Sequence, residues 1–210
     1  MWGCCLVLQG CVALPRPVEV TPEAPKAGAD FPAQIAVFPI SNKSGDPDGS
    51  LILRAFVIRK LSKDLGFVVQ SPTDTDGIIH DRTLTGPEIP VQVAIAKMDI
   101  PTLTTWLSVD GILRGELLAY RKAKLSIYTR SQVKARFWLT DKHGKKLWDV
   151  EKDSDSGSFG GGGSLSSALD SVLADSGIPA ETRDRIRGSD LAGVAFDVVN
   201  EAFSTFPRRY

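Results

Sequence analysis

The fold class this 210-residue sequence predicts is α/β: a two-layer sandwich whose mixed sheet of about five strands starts parallel and ends as an antiparallel meander, with helices mainly on one face. Three observations predict it. Two short apolar runs flank an amphipathic helical stretch between residues 35 and 69. A long alternation of apolar and polar residues runs from Leu125 to Thr140. An Asp-x-x-Gly turn at Asp141–Gly144 then sends the chain back as a hairpin partner.

Taken in order, Ile35-Ala36-Val37-Phe38-Pro39-Ile40 reads as a buried strand, and Pro39, which lacks a donor, should end its pairing. Asn42 to Gly49 is a loop. Leu51, Ala55, Ile58, Leu61 and Leu65 then fall on one helical face, with Ser50 placed to cap the start and Gly66 to close the end. Phe67-Val68-Val69 is a second strand, which makes a parallel β-α-β beginning. Ser71 to Pro90 is turn-rich and reads as irregular. Val91 to Met98 reads as helical, broken at Asp99-Ile100-Pro101 and restarting at Thr102, with Trp106 and Leu107 turned to the core. Ile112 to Ala119 is a strand. In the long alternation the odd positions from Leu125 to Leu139 form a dry face and the even ones, from Ser126 to Thr140, a wet face. Lys145 to Val150 completes the hairpin. Ser154 to Ser164 has the composition of a Ser/Gly linker. Beyond it, residues 165–210 supply two short helices and a last one, capped by Ser189, whose stripe of Ala195, Val198, Val199, Ala202, Phe203 and Phe206 should dock on the sheet.

The N-terminus reads as an address. All three cysteines lie at Cys4, Cys5 and Cys11, which excludes a disulfide scaffold or a cysteine-ligated metal in the body. The apolar run ending Leu8-Gln9-Gly10-Cys11 is too short to span a bilayer. It resembles the bacterial lipobox, in which the cysteine is acylated and becomes the mature N-terminus, so residues 1–11 are the remnant of a signal peptide and Cys11 is the lipidation site. No Lys or Arg precedes the run and the run is short, departures from the signal-peptide pattern that a translation start upstream of Met1 would explain. Five prolines between Val12 and Pro32 give a tether over residues 12–32 that buries too little to fold. Val12 stands where an Asp would be the familiar inner-membrane retention signal, and by resemblance to Gram-negative lipoproteins this implies the outer membrane, periplasmic side.

The body, residues 33–153, carries three blocks that resemble a bacterial envelope lipoprotein family of unassigned function with a surface-associated meningococcal member, related to the CsgG, LpoB and TolB N-terminal-like domains. They are Ile35 to Ser44, Val109-Asp110-Gly111-Ile112-Leu113-Arg114-Gly115, and Phe137 to Trp148 with its Leu139-x-Asp141-x-x-Gly144-x-x-Leu147-Trp148 hairpin. The resemblance implies a lipid-anchored domain that docks on periplasmic or outer-membrane proteins or on further copies of itself. Such domains form a secretion channel or activate cell-wall synthases in related families.

The residues offer little for chemistry. His80 and His143 have no metal-ligand partner at helical or hairpin spacing, and no Gly-x-Ser-x-Gly elbow occurs. Asp46-x-Asp48-Gly49, Asp74-x-Asp76-Gly77 and Asp153-x-Asp155-x-Gly157 suggest calcium loops, but their twelfth positions hold Val57, Thr85 and Ser164 instead of a carboxylate. Gly160–Gly163 lacks the Lys-Ser/Thr pair of a phosphate cradle. The expectation is therefore no enzyme, no cofactor and no metal. Lys plus Arg and Asp plus Glu balance at 25 each, which argues against a nucleic-acid partner. The wet face of the long strand is locally basic, and Tyr128, Arg130, Lys134, Arg136 and Trp138 form the candidate partner-binding face, Arg, Tyr and Trp being the residues enriched in interface hot spots. The leading expectation is a non-enzymatic envelope interaction module. The alternatives are a subunit of an oligomeric outer-membrane secretion assembly and a periplasmic ligand-binding protein or hydrolase.

Overall fold

The computed structural model describes residues 26–28, 31–83, 95, 98–125, 128–159, 180–187 and 191–209. Cys11, the tether before Lys26, the Gly160–Gly163 run and the expected helix from Leu165 lie outside them. The described residues form the predicted mixed α/β fold. Strands β1 (Gln34–Val37), β2 (Ser41–Asn42), β3 (Val68–Val69), β4 (Gly111–Leu125), β5 (Tyr128–Asp141) and β6 (Lys146–Phe159) make one sheet in the order β3-β1-β4-β5-β6, with β2 also against β4. Pairings among β1, β2, β3 and β4 are parallel, and β4-β5 and β5-β6 are antiparallel.

Local chemistry explains most boundaries. β1 ends at Val37, two residues before Pro39. Helix α1 (Gly49–Arg59) begins at Asp48, and the start is organised by Asp46, whose Oδ1 accepts from the amides of Asp48 and Gly49 at 3.0 and 2.8 Å; Ser50 does not cap it. A π-helical turn (Lys60–Asp64) follows, and Gly66, at φ +75°, releases the chain into β3. The buried face of α1 is wider than the sequence stripe. Leu51 points outward, whereas Ile52, Leu53, Phe56 and Val57 join Ala55 and Leu61 inside, because α1 is sandwiched between the sheet and a second helix.

Residues 72–83 form helix α2 (Pro72–Thr83) where the composition suggests irregular chain. Only Thr75 and Ile79 are buried on it, which leaves no periodic signal to read. Pro72 sits in its first turn, where a missing N–H costs nothing. Helix α3 (Ile100–Leu107) starts two residues earlier than the expected restart, since Asp99 caps it by accepting from the Thr102 amide at 3.0 Å. The C-terminal part supplies α4 (Ala180–Arg187) and α5 (Leu191–Ala202), followed by a 3-10 turn at Phe203–Thr205.

Two cores lie on opposite faces of the sheet. Val133, Ala135, Phe137 and Leu139 of β5, all fully buried, pack with α1, α5, Phe203 and Phe206 in the larger one. Phe206 makes ring contacts with Phe31, Phe67, Trp148 and Phe203, so the last turn of the chain is a central part of this core. Phe31 belongs to the stretch expected to be tether, and its ring instead packs on the body. The smaller core joins Ala36, Phe38 and Ile112 to Ile79, Leu103 and Leu107 of α2 and α3. None of its buried residues comes from β5 or β6. The antiparallel half of the sheet thus extends past this second helical layer as a wing.

Candidate functional site

The outer face of the wing carries the even-numbered side chains of β5, the face the alternation marks as wet. Its register places Trp138 opposite Arg114, Arg136 opposite Glu116 and Lys134 opposite Ala119 on β4. On the other side Trp138 lies opposite Asp149, Arg136 opposite Glu151, Lys134 opposite Asp153 and Gln132 opposite Asp155 on β6. Tyr128 is the first residue of β5, paired with Leu125 and Phe159. The candidate residues therefore share one strand and, from Arg130 to Trp138, one face.

The face is not basic. Arg136 grips Asp149 through two bonds, Nε to Oδ1 at 3.0 Å and Nη2 to Oδ2 at 2.8 Å, and Lys146 reaches the same carboxylate at 2.6 Å. Lys134 pairs with Glu151 at 2.6 Å, and Arg130 pairs with Asp155. Each cation is matched by a β6 carboxylate displaced along the ladder, the diagonal reach available to long side chains. Hydrogen bonding from Arg136, aided by Lys146, holds the Asp149 carboxyl down at about 2. The Glu151 contact in turn raises the Lys134 pKa, and Asp149 raises that of Arg136. Arg136 also lies over the Trp138 ring, 5.8 Å from its centroid. The sequence carries the acidic half of this arrangement as the alternation Asp149, Glu151, Asp153, Asp155, a signal obscured when Asp153 and Asp155 are read as a calcium-loop fragment. They stand on β6, which continues through Ser154–Phe159, where the composition suggests a linker.

Sequence reasoning also missed two arginines with contrasting surroundings. Arg54 of α1 is buried and fully engaged: Nε and Nη2 donate to the Val37 carbonyl at 3.1 and 2.8 Å, and Nη1 and Nη2 donate to Asp76 of α2 at 2.6 and 2.8 Å. Arg114 of β4 stands at the seam between the wing and the α2/α3 layer, its guanidinium 5.5 Å from the centre of the Phe38 ring. Its Nε and Nη2 are shielded from solvent and have no hydrogen-bond partner, and burial pulls its pKa below the ordinary arginine value.

At the pole where the N-terminal segment joins the body, a cleft of about 550 Å³ is lined by Asp110, Asp141, Lys142, His143, Lys145 and Arg209 among others. Its carboxylates serve the backbone. Asp110 accepts from the Ala33 and Gln34 amides, and Asp141 accepts from those of His143 and Lys145. The other acidic fragments have similar local uses, Asp46 in a turn and Asp76 in the ion pair with Arg54. Among the described residues no cluster of three or more His, Cys, Asp or Glu is arranged to hold a metal ion, and no helix is long and apolar enough to cross a membrane.

No family model and no curated protein sequence matches the chain. Solved structures do resemble it. The lipoprotein GNA1162 from Neisseria meningitidis shares 22% identity at a TM-score of 0.54, over 75% of this chain and 100% of that one. The PelC dodecamer from Paraburkholderia phytofirmans shares 13% identity at a TM-score of 0.50, over 88% of this chain and 95% of that one. The LpoB C-terminal domain from Escherichia coli is a more distant match, with 8% identity and a TM-score of 0.42 over 61% of this chain and 87% of that one. At these identities the likeness is one of fold, and the proteins sharing the fold include a bacterial lipoprotein.

Proposed function

We propose that this chain is an envelope lipoprotein, anchored through Cys11 on the periplasmic side of the outer membrane, whose body is a non-enzymatic module for docking other envelope proteins. The observation that carries the docking reading is the wing. Its outer face bears Arg114, Arg136 and Trp138, and its last strand, β6, is a 14-residue edge with no further strand beside it among the described residues. Extended edges and Arg/Trp-bearing faces are both common protein-docking surfaces. The fold shared with a lipoprotein supports the envelope setting.

Two measurements test the proposal. Cys11→Ala should abolish incorporation of labelled palmitate and partition into detergent; labelling that persists would overturn the anchor. A photo-crosslinking amino acid at Lys152 or Asp153 on β6 should give adducts with envelope proteins in cells, whereas one at the exposed Asp74 of α2 should not. Equal yields at all three positions would overturn docking through the wing. A second reading, a subunit of a homo-oligomeric assembly, is favoured by the fold likeness to a dodecamer. Native mass spectrometry of the chain separates the two readings.

A further inference from the structure

We infer that the outer edge of β6, which no further strand covers among the described residues, accepts an extended strand with basic residues at alternate positions from another protein, and rejects a second copy of itself. This inference rests on the docking reading above and adds the chemistry of the partner.

The edge is long and regular. Fourteen residues at ~3.4 Å each give an edge of about 45 Å. Its register shift against β5 lies at Leu139/Thr140, so Trp148 to Phe159 runs without interruption, and no proline falls within it. Natural edges are commonly blunted by prolines, bulges or shortness. From Trp148 onward this one is guarded by charge. Asp149, Glu151, Asp153 and Asp155 alternate along its outer face, and Lys152 is the one base in that run.

That pattern decides which strands fit. Two copies of β6 pairing antiparallel with their faces matched must set odd positions against odd. About Lys152, for example, Asp149 would face Asp155 and Glu151 would face Asp153. Like charges directly opposite are destabilising. Slipping by one residue would relieve the clash only by putting one copy's Trp148 and Val150 on the wrong face. A basic strand meets the opposite situation, and β5 shows the fit. On the other side of β6, β5 presents Arg130, Lys134 and Arg136 to these carboxylates and pairs with three of them. Capacity remains for a second basic strand, because a carboxylate offers about four acceptor sites. Glu151 meets Lys134 through Oε1, and Asp153 makes no ion pair among the described residues. The incoming strand's other face would lie beside the half-buried Trp148 and Val150, which favours apolar residues there.

The test uses the full chain and three labelled synthetic nonapeptides: alternating lysine and valine, alternating glutamate and valine, and the lysine composition with its lysines clustered. Fluorescence anisotropy should show binding of the alternating lysine peptide, weakened about tenfold between 50 and 500 mM salt as paired charges are screened. Hydrogen exchange should show slowed amides between Asp149 and Asp155. The glutamate peptide should not bind, and the clustered peptide should bind at least tenfold more weakly. Glu151→Lys combined with Asp153→Lys should exchange the preferences for the lysine and glutamate peptides while circular dichroism stays unchanged. Equal binding of the clustered peptide, absence of β6 protection, or concentration-dependent protection of β6 by the chain alone would each overturn the inference. If the peptides fail while crosslinks form at Lys152 in cells, docking stands and the basic-strand chemistry falls. If both fail, both readings fall.

Discussion

Arg114 and Arg54 form a natural pair for a stability experiment, because the same substitution should act in opposite directions. Arg114→Met keeps the unbranched stem and its packing but removes a guanidinium whose Nε and Nη2 are shielded and unpaired. Each unsatisfied buried donor costs about 1–3 kcal/mol. The side chain is only half-buried, so the lower end of that range applies to each of the two donors, about 2 kcal/mol together. Against this, the contact with Phe38 is lost, worth ~0.5–1 kcal/mol. The balance is a stabilisation of about 1 kcal/mol, or a rise of roughly 2–4 °C in Tm for a domain of this size. Arg54→Met removes donors that the Val37 carbonyl and Asp76 both use. Asp76 is 43% exposed and can return to water, which limits the cost to about 2 kcal/mol of the 3–5 usual for breaking a buried pair. Urea denaturation of both variants, followed by tryptophan fluorescence, gives the two signs directly. Arg114→Met destabilised by more than about 1 kcal/mol would show that the guanidinium finds acceptors in solution, and would refute the reasoning.

Other consequences can be checked separately. Asp149 has a folded pKa of about 2, below its unfolded value, so its contribution to stability is complete above about pH 4 and is lost as pH falls toward 2. Arg136→Gln should move the Asp149 carboxyl titration, followed by carbon NMR, back toward the ordinary carboxylate range; an unmoved midpoint would mean that Arg136 is not its main partner. Phe206→Ala removes a fully buried ring in contact with four aromatic neighbours and should cost ~3–5 kcal/mol in chemical denaturation. Gly144→Ala places a Cβ at φ +83° in the β5-β6 turn and should cost about 1–2 kcal/mol without altering the strand content seen by circular dichroism.

Legibility in the sequence followed the side chains that carry period. β5 could be read residue by residue, since Val133, Ala135, Phe137 and Leu139 are apolar, alternate and are fully buried. The far end of β6 could not. Ser154 to Phe159 is held by ladder bonds to Tyr128–Val133, which any side chain permits, so its small polar residues resembled a linker. Helix α2 was silent for the related reason that two buried residues in twelve make no stripe. At the candidate face, the alternation located the strand and the side chains that share one side of it, but not their neutralisation. A basic strand is visible alone, but its neutralisation depends on which strand lies beside it, and that is a property of register. The same holds for Arg114, whose isolation follows from Phe38 and Trp138 being its neighbours across the sheet.

The two ends of the described chain meet at one pole, with mechanical consequences. The Ala27 amide donates to the Arg208 carbonyl at 2.7 Å, and the Phe31 ring stands against Phe206. A pull on the N-terminal side therefore reaches the Lys26–Arg208 bridge before it reaches β1. The Ala27–Arg208 bond and the contacts of the Phe31 ring with Phe67 and Phe206 must open before the load passes to Gln34, where β1 is paired on both sides, to β3 and β4, and resists in shear. The junction works as a strain relief: a tug on the N-terminal side would peel a few residues at the pole and leave the wing undeformed.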